Sequence, residues 1–320
     1  MRKILVTGAL GQIGSELTHR LREVYGANNI VASGRRVKEG HDELIASGPF
    51  EIVNVNNAQE LSDIVKKHNI NTIIHLAAIL SAVGEDKPQA CWDVNMNGLY
   101  NVLEVGREEK LSIFTPSSIA AFGPTTPPDS TPQDTIQRPT TMYGVTKVAG
   151  ELLSDYYFKR FGVDTRGVRF PGLISYETLP GGGTTDYAVH IYYDAIKHKR
   201  YTSFIDKGTK MDMMYMPDAL NAIINLLEAD SSKLIHRNAF NITAMSFEPE
   251  ELAASIKKFI PEFKISYEVD PIRQAIADSW PNSLDDSAAR KEWGWNPKYN
   301  LDEMTKDMLE KLKIKLDTKG

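Results

Sequence analysis

The fold is decided by residues 3–14, KILVTGALGQIG, in which a short β-branched run leads into a turn with glycine at every third position. The run KILVT predicts a strand buried on both faces, and helical spacing of apolar residues begins at Ile13. Gly8, Gly11 and Gly14 suit a turn that approaches a dinucleotide, because glycine tolerates positive φ and lets backbones lie close together. The sequence therefore predicts a dinucleotide site, and a glycine-rich turn without a ligand is the alternative.

The predicted phosphate contacts come from the start of the helix after this turn. Its unpaired backbone N–H groups and the positive end of its dipole favour a pyrophosphate. We therefore expect the cofactor to contact Gly8, Gly11, Gln12, Ile13 and Gly14.

The end of the second predicted strand bears on which nicotinamide cofactor binds. A dinucleotide site usually carries an acid about 20 residues after the turn, where it accepts hydrogen bonds from the adenosine ribose. Here the strand ends Ser33-Gly34-Arg35-Arg36, without an acid. A 2′-phosphate is not repelled at Gly34, and Ser33, Arg35 and Arg36 can bind one. These residues leave NADP open beside NAD.

Outward from the turn, predicted strands and helices alternate to about residue 171. The strands fall at residues 3–7, 29–33, 50–55, 71–76, 111–117 and 164–170, and the helices at 13–24, 58–68, 88–107 and 143–161. This alternation indicates an α/β fold with helices on both faces of a doubly wound parallel sheet.

After Gly172 the regular alternation ends. Helices are predicted at residues 186–198, 218–229, 249–260 and 301–312, and strands at 239–243 and 264–268. We expect residues 1–172 with about 215–245 to form the dinucleotide-binding domain. Residues 173–214 with 246–320 should form a smaller, interleaved α/β domain that binds the substrate.

The composition argues against several classes of protein. The chain has 320 residues, a formal net charge of −5 and one cysteine, Cys91. No basic face points to nucleic acid, and no apolar run approaches the roughly 20 residues of a membrane span. One cysteine provides neither a disulfide nor a CxxC metal site. We expect a cytoplasmic protein without a metal ion.

A tyrosine and a lysine stand four residues apart in Tyr143-Gly144-Val145-Thr146-Lys147, so on a helix their side chains share one face. A free tyrosine, with a pKa of about 10, is a poor base at neutral pH, but a neighbouring ammonium and an oxidised nicotinamide both favour the phenolate. Tyr143 can then take the proton of a substrate hydroxyl while hydride passes to the nicotinamide, and Lys147 can hold the nicotinamide ribose. A surface Tyr–Lys pair is the alternative.

Two serines, Ser117 and Ser118, end the strand before this helix. The carboxyl ends of parallel strands form the ligand crevice of such a sheet. A serine hydroxyl there can hold the substrate oxygen and stabilise charge on it. The alternative is a pair of capping serines.

On these residues the chain resembles the extended short-chain dehydrogenase/reductase family. The shared segments are the glycine turn, His75-Leu76-Ala77-Ala78, Asn95 in Val94-Asn95-Met96-Asn97-Gly98, Ser118, and the pair Tyr143 and Lys147. The resemblance implies a Rossmann domain and hydride transfer, with Ser118, Tyr143 and Lys147 as catalytic residues. It implies that Asn95 lies in a helix supporting the lysine through a bound water. It also adds cofactor contacts at Asn54, Val55, Leu76, Ala77, Ala78, Asn95 and Phe170.

A narrower resemblance, over nearly the whole chain, is to the epimerase-like L-threonine 3-dehydrogenases. Its segments include AILSA at 78–82, PTTMYG at 139–144, RFPG at 169–172, PGGGTTDYA at 180–188, MDMMYM at 211–216 and SWP at 279–281. The resemblance implies oxidation of the 3-hydroxyl of L-threonine to 2-amino-3-oxobutyrate with NAD. It places Ser81, Ser118, Tyr143, Gly183, Thr184, Thr185 and Trp280 at the substrate. Thr185 would bond the polar groups of the substrate, Trp280 would cover the site, and the loop at 181–185 would close over it.

The chain departs from this group at two positions near the adenosine. Gly34 stands where the group usually carries Asp, and Asn54 stands where Asp is common near the adenine. The resemblance also implies a homodimer joined by the helices at about 88–107 and 143–161.

Two other functions remain open. A nucleotide-sugar epimerase or dehydratase uses the same Tyr–Lys pair, but it must also hold a diphosphate, and the C-terminal segment shows few phosphate clamps. A non-catalytic dinucleotide sensor would keep the glycine turn and often lose the pair, which is present here.

Overall fold

The computed structural model describes residues 2–179, 181 and 183–317. Its first half alternates strands and helices in the order β1 (Ile4–Thr7), α1 (Gln12–Tyr25), β2 (Ile30–Gly34), α2 (Asp42–Ala46), β3 (Phe50–Ile52), α3 (Ala58–His68), β4 (Thr72–His75), α4 (Ser81–Asp86), α5 (Pro88–Trp92), α6 (Gly98–Glu108), β5 (Ser112–Phe114), β6 (Ser117–Ser118), α7 (Met142–Phe161), β7 (Asp164–Arg166) and β8 (Val168–Phe170). A π-helical turn, Asp93–Asn97, joins α5 to α6, so the predicted helix at 88–107 is confirmed with one local widening.

The second half is less regular. It contains β9 (Gly172–Ile174), α8 (Tyr187–His198), β10 (Arg200–Ser203), β11 (Met211–Tyr215), α9 (Met216–Glu228), β12 (Phe240–Asn241), β13 (Met245–Phe247), α10 (Pro249–Lys257), β14 (Lys264–Tyr267), α11 (Pro271–Ala277), α12 (Ser287–Trp293) and α13 (Leu301–Asp317). The sequence pattern predicted most of these helices but not α11, α12 or the strands β9, β10, β11 and β13. Each of those strands has three to five residues, too few for a clear period.

The central sheet has six parallel strands in the order β3-β2-β1-β4-β5-β7. The doubly wound α/β prediction is therefore confirmed. The strand order reverses between β1 and β4, and a crevice opens beyond the carboxyl ends of the strands at such a reversal. This position explains why the glycine turn after β1 and the residues after β4 meet.

Two predicted strands, 111–117 and 164–170, are wrong as single strands. Each is split, and its second part, β6 or β8, joins β12 in a separate three-stranded sheet. Pro116 lies in the first break, where it has no N–H to donate to a ladder. Gly167 lies in the second, where a Cβ would come 2.7 Å from the carbonyl oxygen of Asn238. The two breaks turn Ser118 and Phe170 away from the main sheet and towards the crevice.

The buried apolar residues of the described chain include two large groups. One packs α1 and α9 on a face of the central sheet, through Leu17, Phe114 and Leu226. The other joins α8, α10 and α13 through Tyr187, Leu252 and Met308. Ala289 of α12 belongs to the first group, although its residue number lies in the predicted substrate domain. The proposed domain boundaries stay a prediction.

None of the helices in the described ranges is long and apolar enough to cross a lipid bilayer.

Candidate active site

A cavity of about 270 Å³ lies beyond the carboxyl ends of β1, β4 and β5. Its walls come from both halves of the chain: the first half supplies the glycine turn and α7, and the second half supplies the segments around Gly172, Thr185 and Trp280. Most of the predicted site residues lie in these walls. They are Gly8, Gly11, Gln12, Ile13, Gly14, Leu76, Ala77, Ala78, Ser81, Asn95, Ser118, Tyr143, Lys147, Phe170, Gly183, Thr184, Thr185 and Trp280.

The glycine turn is shaped for close backbone approach. Gly8 has φ +72°, and a Cβ there would lie 2.7 Å from the backbone nitrogen of Ala77. A Cβ at Gly14 would overlap the carbonyl oxygen of Gly8. Gly11 caps α1 without a side-chain hydrogen bond, so the first N–H groups of the helix have no side-chain acceptor there. This arrangement fits a dinucleotide pyrophosphate.

Tyr143 and Lys147 share the face of α7 that lines the cavity. The helix starts where the Thr141 hydroxyl accepts a hydrogen bond from the N–H of Gly144, at 3.1 Å. The Lys147 ammonium donates to the Pro116 carbonyl oxygen, at 2.8 Å, and lies 5.2 Å from the centre of the Tyr143 ring. The Lys147 ammonium therefore lies beside the Tyr143 ring and is held by the segment that precedes Ser118.

The two candidate serines differ in what they bond. Ser117 is buried, and its hydroxyl donates to the carboxylate of Glu151. Ser118 is half-buried and lines the cavity, and its hydroxyl accepts from the N–H of Ala120, at 3.2 Å. Because this bond uses an acceptor site, the Ser118 proton can be donated to a ligand oxygen.

His75 and Asn95 line the cavity, and hydrogen bonds hold both side chains in place. The Nδ1 atom of His75 is 2.8 Å from the Thr7 hydroxyl, and burial, together with the charge of Lys147, lowers the histidine pKa to about 3. His75 is therefore neutral at physiological pH. The Asn95 amide bonds both backbone polar groups of Ile79 and donates to the Thr146 hydroxyl, at 3.1 Å. Asn95 thus joins the segment after β4 to the residue beside Lys147.

Part of the cavity lining is a short 3₁₀ turn, Thr184–Asp186, that packs against β9. The Asp186 carboxylate accepts from the N–H of Gly183, at 2.6 Å. A Cβ at Gly172 would come 2.6 Å from the Thr185 side chain, so glycine at this position permits the contact. Gly182 of the predicted closing loop at 181–185 and Pro180, which precedes the loop, lie outside the described residues.

Comparison with known proteins agrees with this geometry. The model of the NAD-dependent epimerase/dehydratase family matches residues 4–243. The chain belongs to this family. It is also 57% identical over 319 residues, covering 100% of both chains, to an uncharacterised epimerase/dehydratase of Staphylococcus haemolyticus.

The solved structures most similar to this family member include two L-threonine dehydrogenases. The enzyme from Clostridium difficile is 67% identical, with a TM-score of 0.97 and 98% coverage of both chains. The enzyme from Phytophthora infestans is 49% identical, with a TM-score of 0.93 and 100% coverage of both. The protein is therefore a nicotinamide-dependent enzyme of oxidoreductase type with a Rossmann-like fold.

Two further solved structures bear on the alternatives. A UDP-glucose 4-epimerase from Thermotoga maritima is 21% identical with a TM-score of 0.83, which shows a shared fold alone. An L-threonine 3-dehydrogenase from a metagenome, 45% identical with a TM-score of 0.92, is monomeric. Membership of this structural group therefore does not by itself imply a dimer.

The predicted adenosine contacts lie outside the cavity lining. Ser33 is fully buried, and its hydroxyl donates to the Val6 carbonyl oxygen, at 3.0 Å. Arg35 and Asn54 are exposed. Val55 is buried, and its carbonyl oxygen accepts from the Asn101 amide. Since the Ser33 proton is engaged within the sheet, the exposed Arg35 and Arg36 are the better candidates for a 2′-phosphate.

The sequence pattern did not reveal the ion pair on the Tyr143–Lys147 face of α7. Glu151 and Arg169 are both buried, with 2.9 Å between Arg169 Nη2 and Glu151 Oε2. Glu151 also accepts from Ser117 and, at 2.8 Å, from Gln137. A signal existed, because Glu151 follows Lys147 by four residues as Lys147 follows Tyr143, so all three share one helix face. The pair links α7 to β6 and β8.

Proposed function

We propose that this protein is an L-threonine 3-dehydrogenase that uses NAD. The observation that carries the proposal is one cavity that is lined by Tyr143, Lys147 and Ser118 and also by Thr184, Thr185 and Trp280. The 67% identity to the C. difficile L-threonine dehydrogenase over nearly the whole chain supports the same substrate.

The chain supplies proton transfer and orientation, and the bound nicotinamide supplies the hydride acceptor. Ser118 donates a hydrogen bond to the 3-oxygen of threonine, and Tyr143 removes the proton from that oxygen as the C3 hydride leaves. The product is the 3-keto acid. Lys147 stabilises the negative charge on the phenol oxygen, and the Pro116 carbonyl keeps the ammonium in place.

The charges of the cavity favour a small amino acid over a nucleotide sugar. Among the described residues that line it, Lys147 is the one lysine or arginine, and the acids are Glu151 and Asp186. A sugar diphosphate would add two negative charges beside those of the cofactor, and such groups are normally held by arginine or lysine. A small zwitterion needs no such clamp.

Turnover assays separate these two functions. We expect L-threonine to reduce NAD in the presence of the protein, and UDP-sugars to be neither epimerised nor dehydrated. Conversion of a UDP-sugar without threonine oxidation would favour the epimerase. Tight dinucleotide binding without turnover of any hydroxy amino acid or UDP-sugar would favour the non-catalytic sensor.

The preference for NAD over NADP is part of this proposal. Its support is the match to the NAD-dependent epimerase/dehydratase family, and the opposing feature is the absence of an acid at Gly34. Initial rates with the two cofactors at equal concentration test it. Gly34→Asp should lower activity with NADP much more than with NAD, because the new carboxylate repels a 2′-phosphate.

We also propose a homodimer through α6 and α7. These helices expose apolar side chains: Tyr100 is 50% exposed, Leu152 63% and Tyr156 52%. Such a face is typical of a protein–protein interface. Sedimentation velocity should give twice the chain mass, and Leu152→Glu should shift the protein to a monomer. A monomeric parent protein would exclude the dimer.

A further inference from the structure

Residues 175–179, called the strap here, lead from β9 to the glycine-rich loop and the Thr184–Asp186 turn. Their side chains bond to α1, the helix of the glycine turn. The Ser175 hydroxyl donates to Glu16 Oε1, at 2.5 Å, and the hydroxyl oxygens of Ser15 and Thr178 are 3.2 Å apart. Ser15 and Glu16 directly follow Gly14. The strap is therefore joined to the same helix turn that faces the cofactor.

The other side of the strap is bonded to the C-terminal helix. The Lys315 ammonium on α13 donates to the carbonyl oxygens of Tyr176, at 2.9 Å, and Glu177, at 2.5 Å. The strap is thus held between α1 and α13. The loop that follows the strap lines the cavity at Gly181 and Gly183.

Glu16 is an unexpected residue for this position. Its side chain is buried, with 7% exposure, and burial raises its pKa to about 7, although the Ser175 hydroxyl acts in the opposite direction. The hydroxyls of Ser175 and Thr178 both lower this pKa by hydrogen bonding, and Lys315 is the cation whose charge reaches the carboxyl group. Burying a carboxyl group without a paired charge is costly, and leucine has a similar volume without that cost. Bulk packing therefore does not account for Glu16.

We propose that Glu16 is a positioning residue that holds the strap against α1, the helix of the glycine turn. Through the strap, Glu16 also positions the Thr184–Asp186 turn. The two walls line one cavity, so a ligand between them gains contacts with both only when their separation is fixed. The Glu16–Ser175 bond fixes that separation from behind the cofactor site. The identity of the substrate in this inference rests on the proposed threonine dehydrogenase function.

Kinetics of three variants test the role. Glu16→Leu and Ser175→Ala should each raise KM for L-threonine about 3- to 10-fold, the range expected for one lost hydrogen bond, with unchanged affinity for NAD alone. The double variant should be no worse than Glu16→Leu, because both changes remove one interaction. Glu16→Gln keeps an acceptor for Ser175 and should retain most of the parent KM.

Hydrogen exchange gives a readout that does not need activity. Amides of residues 175–186 should exchange faster in Glu16→Leu than in the parent protein and in Glu16→Gln. The matched control is Tyr25→Phe at the far end of α1, which removes a hydrogen bond to Glu228 and should leave these amides unchanged. If Glu16→Leu does not fold, Ser175→Ala carries the same comparison.

The outcomes separate this inference from the proposed function. Parent-like exchange at 175–186 in both Glu16→Leu and Ser175→Ala would overturn the positioning role. Faster exchange in these variants, with a parent protein that does not oxidise threonine, would leave the positioning role standing and reject the substrate. An unchanged KM together with a lower melting temperature would show that Glu16 acts in stability alone.

Discussion

The two walls of the active-site cavity are built by different means. The glycine turn of the first wall is fixed mainly by backbone contacts, as the overlap of a Gly14 Cβ with Gly8 shows, whereas α7 in the same wall is held by side-chain bonds such as that of Lys147 to Pro116. The second wall, from the strap to Thr185, is fixed by side-chain hydrogen bonds, such as that between Ser175 and Glu16 and that between the N–H of Gly183 and Asp186. Backbone contacts of this kind require glycine at set spacings and are visible in a sequence, whereas side-chain bonds between distant segments are not. Substitutions should therefore affect the two walls differently.

The largest effect is expected on the chemistry at the first wall. Tyr143→Phe removes the proton acceptor and should lower kcat about 10²- to 10⁴-fold while NAD binds as before. Steady-state rates and NAD titration measure the two quantities. Tyr193→Phe, at a half-buried position on α8 that does not line the cavity, should keep the parent kcat. Near-parent turnover by Tyr143→Phe would show that another group is the base.

Next in size is the buried ion pair that links α7 to β6 and β8. Arg169→Met leaves the Glu151 carboxylate buried without its cation and should lower the free energy of unfolding by about 3 to 5 kcal/mol, measured by urea denaturation. Adding Glu151→Gln removes the unpaired charge and should recover part of this loss. Equal stability of Arg169→Met and the parent protein would mean that the pair is not a structural link.

A methyl group added to the first wall should do more harm than one added to the second. Gly14→Ala should lower the free energy of unfolding by about 1 to 3 kcal/mol and weaken NAD binding, because neither Gly8 nor Ala9 can move aside. At Gly181 a Cβ would meet Leu80 at an ordinary 3.7 Å, so Gly181→Ala should be tolerated. Thermal unfolding and NAD titration compare the pair, and similar losses in both variants would contradict the contrast between the walls.

Glu16 should make stability depend on pH. Its pKa is raised from 4.5 to about 7 in the folded protein, so the folded state holds its proton more tightly than the unfolded state. The contribution of Glu16 to stability is therefore full below pH 4.5 and is lost as pH rises through about 7. The stability of Glu16→Gln relative to the parent protein should rise between about pH 5 and pH 8 in urea titrations. A pH-independent difference would argue against the raised pKa.

The smallest effect is expected at the Thr184–Asp186 turn. Thr185→Val keeps the shape of the side chain and removes one hydroxyl, so KM for L-threonine should rise about 2- to 10-fold with less change in kcat. Thr202→Val, on an exposed strand position, is the control. An unchanged KM would remove Thr185 from the substrate contacts.

The sequence was sufficient for the parallel sheet, the glycine turn and the Tyr143–Lys147 pair, because each follows from residue spacing within one segment. It failed at the breaks after Phe114 and Arg166, where the strands pass from one sheet to another. It also missed Glu16–Ser175, whose residues lie 159 positions apart in the chain, and Glu151–Arg169, which joins a helix to a strand outside the central sheet. The short strands β9, β11 and β13 owe their pairing to tertiary contacts rather than to local preference.

The most direct test of the central claim follows the hydrogen on C3 of threonine. L-Threonine carrying deuterium at C3 is incubated with the protein and NAD, and the reduced cofactor is analysed by mass spectrometry. The account predicts that the deuterium appears in the reduced nicotinamide and that the rate falls relative to unlabelled threonine. Reduced cofactor without deuterium, or no reduction of NAD or NADP at all, would contradict it.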